Sequence, residues 1–406
     1  MADAGGEIVM LAAPGVELHR LAAPLGDRLA VLKHRATGRY FALSPLGLDI
    51  WQRIASGEPL PGLVEAVTAG QPAAARVRAL RLCAQLRAQG FARLAGEAPP
   101  APSPRLHLDF HHPLLWEIRV RGCVPLFQIL YLLGGKWLVS PMATGLAAIV
   151  GVAGILLLAG APALVPQDVR VLPWLFAATI AATFVHECLH GLAVVRFGRA
   201  VDAVGIGWFW FGPAPFVDTS DMWLGTRAQR IWVSAAGPAG NVALGGAAAL
   251  LANIPPAGSG LAQMLWAYSA VCYFVAAYNL CPLLEFDGYF ILTDVTGVPN
   301  LRRKAYAWLG RRLRGVPEPA ARPREGRLFL PYCVGSLAYV AVFGTLTVEA
   351  VASFAEAHVR FWLPAAAPVV ASATALGFAG LLLFGTLKDV FVDVRRGMSL
   401  SIASAR

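Results

Sequence analysis

The chain has 406 residues, of which 57% are hydrophobic and 14% are charged, and its formal net charge is +10. A soluble domain carries about 25% charged residues, so this composition argues against a soluble enzyme and predicts a surface that largely faces lipid. Nine basic residues lie in the stretch 302–327 between two apolar segments, which is typical of a cytoplasmic loop of a membrane protein. No basic groove with interleaved aromatic residues is present, so nucleic acid is not an expected partner.

Residues 1–95 are predicted to form a small α+β domain. Alternating apolar residues in 28–33 and 39–43 indicate two strands. Ser44-Pro45 begins a helix that ends at Gly57, and a later helix covers about 72–89. Its apolar residues Val77, Leu80, Cys83 and Leu86 are expected on one face. Strands followed by three short helices predict a winged-helix-like fold, and the proline-rich stretch within 96–112 is expected to be a linker.

The remainder, 113–400, is predicted to be a membrane domain. Residues 113–136 fit an interfacial segment, and about six later windows are long enough to cross a bilayer. The expected fold is therefore a mainly α-helical, multi-pass membrane protein with both termini in the cytosol, because the basic residues favour that side. The first ten residues contain no basic residue and no signal peptide, which agrees with a cytosolic N-terminal domain. The windows lie near 139–164, 172–197, 231–254, 261–283, 329–354 and 362–386.

The second of these windows contains His186-Glu187-Cys188-Leu189-His190. Histidines four residues apart on a helix project from nearly the same face and can bind one zinc ion. Glu187 can then act as general base toward a zinc-bound water. Ionisable groups inside an apolar span are costly and are usually functional. The six cysteines contain no Cys-x-x-Cys pair, so a cysteine zinc site is not indicated.

A catalytic zinc ion usually has three protein ligands. Asp287 is the candidate for the third ligand, because it lies at the inner end of the fourth window at a depth comparable with the histidines. Spacing alone does not show that Asp287 meets His186, and an aspartate capping a helix end remains the alternative.

Three motifs carry a resemblance: the His-Glu-x-x-His run, Ala-Gly-Pro-x-x-Asn ending at Asn241, and Asn-x-x-Pro-x-x-x-x-Asp-Gly from Asn279. Together they resemble the site-2 protease family of intramembrane zinc metalloproteases. The runs 216–221 and 294–302 resemble its peptide zinc metalloprotease branch. The resemblance covers about 113–400. It implies that His186, His190 and Asp287 hold zinc, that Glu187 activates water, and that Asn241 and Asn279 lie near the scissile peptide.

The resemblance also bears on residues that follow the catalytic helix. Residues 200–217 are similar to the family's membrane-dipping hairpin, whose edge would receive an unwound substrate as an added strand. An ordinary interfacial loop is the alternative. Gly237-Pro238 is interpreted as a packing and kinking device, and Asp218 and Asp221 as turn formers.

The N-terminal domain resembles the small peptide-binding chaperone of pyrroloquinoline quinone biosynthesis, on Tyr40-Phe41-Ala42-Leu43-Ser44-Pro45 followed by Ile50-Trp51 and Gly57. This implies that residues 1–95 bind a precursor leader peptide.

The sequence therefore predicts a zinc endopeptidase of the cell (inner) membrane that acts in intramembrane proteolysis or peptide maturation. Its expected partners are the bilayer and a precursor peptide or membrane-protein substrate. Two alternatives stay open: a metal-binding transporter, and a non-catalytic peptide-binding partner of an exporter.

Overall fold

The computed structural model describes residues 8–377 and 379, apart from 26–27, 100, 102–103, 113–114, 163–168, 210–211 and 316–322. The chain is mostly helical and divides into two compact units, Met1–Leu280 and Cys281–Arg406. The first unit contains the N-terminal domain, a four-stranded sheet and four long helices. The second unit contains the remaining helices.

The N-terminal domain is rich in strands, as predicted, and three helices follow its main sheet. In that sheet β3 lies between β2 and β4 in an antiparallel arrangement, while β1 pairs with β5. Leu32, Leu43, Ile54 and Phe91 are fully buried between the sheet and the helices. The elements are β1 (Met10–Ala12), β2 (Val16–Leu25), β3 (Arg28–His34), β4 (Arg39–Leu43), α1 (Pro45–Ala55), α2 (Leu60–Thr68), α3 (Ala73–Ala88) and β5 (Ala92–Leu94).

One prediction for helix α3 is wrong. Cys83 and Leu86 are buried, but Val77 and Leu80 are 48% and 44% exposed. The buried face of α3 is completed by small alanines one helical turn apart, Ala75 and Ala79. The sequence did not predict this face, because the prediction relied on large apolar residues and alanine is only weakly hydrophobic.

Residues 106–112 and 115–121 form two strands that the sequence analysis assigned to a linker and an interfacial segment. These strands, β6 (Leu106–His112) and β7 (Leu115–Arg121), join β8 (Ala203–Phe209) and β9 (Gly212–Val217) in an antiparallel sheet of order β6-β7-β8-β9. Leu108, Ile118 and Ile206 lie directly opposite one another on one face. The side chains of all three are exposed, so the sheet has an exposed apolar face.

Two short helices follow β7, α4 (Val124–Leu130) and α5 (Lys136–Leu138). The four long helices are α6 (Pro141–Leu158), α7 (Leu172–Arg196), α8 (Arg227–Leu251) and α9 (Gly260–Asn279). Helix α8 packs against α6, α7 and α9. Small residues make this packing close: a side chain at Gly154 of α6 would meet the backbone of Gly246 in α8. Glycines at such contacts are typical of helix packing in membranes.

The second unit contains α10 (Asp287–Thr296), α11 (Leu301–Leu313) and α12 (Pro323–Trp362). Its apolar core joins Tyr289, Leu301 and Tyr306 to Phe329 and Tyr332 of α12. A short apolar helix, Ala367–Gly377, follows.

Within the described residues, four helices are long and apolar enough to cross a membrane: Pro141–Leu158, Leu172–Arg196, Gly260–Asn279 and Gly326–Leu346. They correspond to four of the six predicted windows, so a membrane protein is supported and six spans are not confirmed. The window 231–254 corresponds to α8 as far as Leu251, and this helix carries Arg227 and Arg230 in its first turn. The window 362–386 is described only as far as residue 379.

Candidate metal centre

Helix α7 places the two predicted histidine ligands together. His186 and His190 are 4% and 5% exposed, and their Nε2 atoms lie 3.0 Å apart. Two nitrogen ligands on a tetrahedral zinc ion lie about 3.3 Å apart, from Zn–N bonds of about 2.05 Å. The separation of the two rings therefore fits a shared metal ion.

The backbone of α8 fixes the protonation of His190. Its Nδ1 lies 2.7 Å from the carbonyl oxygen of Val233. A carbonyl oxygen can only accept, so Nδ1–H donates to it and Nε2 carries the lone pair. A metal-binding histidine typically has this arrangement, in which the second ring nitrogen is held by a carbonyl or carboxylate.

Asn241 of α8 holds the other ring. Its side chain is buried, with 1% of the residue exposed, and its amide lies 3.0 Å from Nδ1 of His186. With Nδ2 toward the ring, Oδ1 has no hydrogen-bond partner in the described part of the chain. The amide turned by 180° has the same shape, and in that orientation Oδ1 accepts from Nδ1–H and leaves Nε2 of His186 free for a metal ion. We therefore interpret Asn241 as a residue that orients a ligand.

The carboxylate of Glu187 completes the cluster. Among the described residues, His186, Glu187 and His190 form the one group of three or more His, Cys, Asp or Glu residues whose potential ligand atoms lie within 4.8 Å of one another. Glu187 Oε1 is 4.0 Å from His186 Nε2, and its Oε2 accepts a 3.0 Å hydrogen bond from the backbone N–H of Val217. Because Val217 ends β9, the proposed base is in direct contact with the edge strand of the sheet.

Gly237 leaves space beside the histidines. A Cβ atom at this position would lie 2.5 Å from His186 Nε2 and would also collide with His190 Nε2. Any larger residue would therefore fill the volume toward which both ring nitrogens point. The sequence analysis interpreted this glycine, with Pro238, as a packing and kinking device, although its place in the Ala-Gly-Pro motif was a usable signal.

Two other predicted site residues lie at the ends of helices. Asn279, the last residue of α9, donates its side-chain amide to the carbonyl of Val275 one turn earlier. Asp287 is half-buried in the first turn of α10 and belongs to the second compact unit. The role of Asn279 near a substrate stays a prediction. The role of Asp287 as third ligand also stays a prediction.

No family model, curated protein or solved structure matches this chain. What supports a function is therefore the geometry of the site together with the spacing of its motifs.

Proposed function

We propose that the protein is a membrane-embedded zinc endopeptidase. The observation that carries the proposal is the buried pair of histidine Nε2 atoms, 3.0 Å apart, with the carboxylate of Glu187 beside them. The helix that holds all three is 25 residues long and apolar enough to cross a membrane.

Each residue of the cluster has a distinct role in this proposal. His186 and His190 would hold the ion through Nε2, with Asp287 as the proposed third ligand. A bound ion would supply Lewis-acid chemistry toward a water molecule and the carbonyl of a peptide bond. Glu187 would take one proton from the water as the water oxygen bonds to the peptide carbon, and would pass that proton to the amine that leaves when the C–N bond breaks. Asn241 and the Val233 carbonyl keep the two rings oriented.

The edge of β9 is the proposed binding surface for the substrate. Asp218 N–H donates to the carbonyl of Ala203 on β8, at 2.9 Å. Hydrogen-bonded and non-bonded pairs alternate in an antiparallel ladder, so the backbone groups of Val217, Pro215 and Pro213 are directed away from β8. An extended peptide added to this edge would pass Glu187, and its backbone would be accessible to attack, unlike that of a helix.

Val217 gives this edge one further property. Proline has no N–H, so Val217 is the outward-facing donor of β9, and Glu187 already accepts its N–H. A substrate carbonyl would take over this hydrogen bond and release Glu187 for proton transfer. The apolar, exposed face of the same sheet supports its location at the membrane surface, where a membrane-associated peptide would approach.

The proposal includes the location of the chain and a role for its N-terminal domain. The basic residues of α11 support a cytosolic loop in the cell (inner) membrane, with residues 1–95 on the same side. The three-stranded sheet followed by three helices supports a winged-helix-like domain that binds the leader segment of a precursor peptide at a strand edge.

Metal-dependent cleavage tests the proposal. The full chain, purified in detergent, is incubated with a proteome-derived peptide library, and new termini are identified by mass spectrometry. We expect cleavage that stops when a chelator removes the metal and returns on addition of Zn²⁺ alone. Cleavage that persists without metal would contradict the proposal. Zinc binding without any cleavage would favour a transporter or a non-catalytic peptide-binding partner.

A further inference from the structure

Asp221 has a buried carboxylate that accepts three hydrogen bonds. It lies in a short helical turn, Ser220–Leu224, directly after β9, and is 5% exposed. Its Oδ1 accepts hydrogen bonds from Lys33 Nζ at 2.7 Å and from Tyr40 OH at 2.8 Å. Its Oδ2 accepts from the backbone N–H of Ala200 at 2.9 Å. The sequence analysis interpreted Asp221 as a turn former and missed this cluster.

The protonation states of Asp221 and Tyr40 are complementary. Burial alone would raise the pKa of Asp221, but the hydrogen bonds from Lys33, Ala200 and Tyr40 outweigh it and hold the pKa below its usual value. Burial, together with the adjacent Asp221 carboxylate, raises the pKa of Tyr40, which therefore stays a neutral donor. Asp221 is thus an ionised carboxylate whose partners come mainly from the N-terminal domain.

Both partners belong to one hairpin of that domain. Lys33 of β3 and Tyr40 of β4 are directly paired across the hairpin, so their side chains leave the same face of the sheet. The turn between these strands makes a second close approach. Gly38 has a φ of +63°, and a Cβ there would collide with Arg121 and lie 3.1 Å from Asp202 Oδ2. The hairpin therefore packs against Arg121 at the end of β7 and Asp202 just before β8.

The segment that Asp221 anchors also holds the proposed base. Val217, four residues earlier, donates to Glu187. Between them, Asp218 donates its N–H to Ala203 and lies 3.5 Å from Arg119 of β7. The end of β9 is thus held by the sheet on one side and by the N-terminal domain on the other.

We propose that Asp221 is a positioning residue that fixes the edge strand β9 beside Glu187, with the N-terminal domain as its anchor. This inference rests on the proposed function, because it assigns Asp221 to the same substrate edge. It makes the N-terminal domain part of the support of the active site as well as a peptide-binding module. Loss of the Lys33 and Tyr40 contacts would loosen β9 without touching a metal ligand.

Amide hydrogen exchange of the full chain tests this directly. The double variant Lys33→Met with Tyr40→Phe removes both side-chain donors from Asp221. Since hydrogen bonds to a charged group are among the stronger ones in proteins, we expect exchange in the peptide covering 212–224 to be faster by about tenfold or more. The variant Lys33→Arg keeps a cation at this position, so its exchange should be closer to the wild-type rate.

The matched control is Arg35→Met in the same hairpin. Arg35 is 72% exposed at its side chain and pairs with Glu17 on the domain surface at 2.5 Å, so its loss should leave exchange in 212–224 unchanged. Equal exchange in the double variant and the control would overturn the inference.

Kinetics separate this inference from the proposed function. With the peptide library as probe, the double variant should cleave with a lower kcat while its zinc content equals that of the wild type. A wild-type kcat in the double variant would overturn the positioning role. If the wild type cleaves nothing, the proposed function fails, and the exchange experiment still decides whether Asp221 anchors β9.

Discussion

Removal of the Asn241 amide is expected to weaken metal binding without removing a ligand. Asn241 is buried against Nδ1 of His186 at 3.0 Å. Without this partner the ring can rotate, and its tautomer is no longer fixed for metal binding through Nε2. Loss of such an outer partner typically lowers metal affinity 10- to 100-fold, which corresponds to about 1.4–2.7 kcal/mol.

The assay is a competition titration of the purified chain with Zn²⁺ and a fluorescent chelator. Asn241→Ala should show the 10- to 100-fold loss, whereas Asn241→Asp should retain affinity because a carboxylate also accepts from Nδ1–H. Asn253→Ala is the control, since Asn253 bonds only its own helix, at the carbonyl of Ala249, in the described structure. Wild-type affinity in Asn241→Ala, or a loss in Asn241→Asp as large as in Asn241→Ala, would refute the reasoning.

Three further predictions follow from the structure. Gly237→Ala should abolish zinc binding, because its Cβ would collide with both histidine rings, whereas Gly240→Ala, which meets only the flexible side chain of Leu189, should retain metal in the same titration. Burial, with nearby Arg39, lowers the pKa of His34 below 6.5. The free energy of unfolding should therefore keep the whole contribution of neutral His34 above pH 6.5 and decrease as the pH drops below that value. His34→Leu should remove this dependence in thermal melts without loss of stability at pH 7, because neither ring nitrogen has a hydrogen-bond partner in the described structure; a wild-type pH dependence in that variant would contradict the assignment. In a cysteine-free background, Ala257→Cys should react with an impermeant thiol reagent outside intact cells, whereas Arg314→Cys should not. The reverse pattern would contradict the predicted spans and their orientation.

The sequence predicted the parts of the structure that depend on local spacing. The His-Glu-x-x-His run needed only helical periodicity, and α7 brings His186 and His190 together as expected. Strands of the N-terminal domain were also predicted from a local pattern, because apolar residues alternate within a few positions.

The sheet β6-β7-β8-β9 was predicted only in part. Leu106, Leu108 and Phe110 alternate with polar residues, which is a strand signal, but the preceding prolines led to a linker assignment. The pairing of β7 with β8 joins residues more than 80 positions apart, such as Ile118 and Ile206. No local pattern encodes such a pairing, because a partner strand is selected by the packing of the whole domain.

The contacts that support the candidate metal centre were not predicted from the sequence, for a similar reason. Asn241 meets His186 across 55 positions, and Lys33 meets Asp221 across 188. An asparagine after Gly-Pro and an aspartate after a strand look alike in sequence whether they form turns or orient a ligand. Their burial and partners distinguish the two cases, and both properties arise only on folding.

The most direct test of the central claim is a paired measurement of metal content and cleavage in Glu187→Gln. Glutamine keeps the size of the side chain but cannot accept the proton that a general base must take. If Glu187 is the base, the purified variant should contain as much zinc as the wild type and should yield no new termini from the peptide library. Cleavage at the wild-type rate would contradict the account, and loss of the zinc itself would make Glu187 a metal ligand in place of the base.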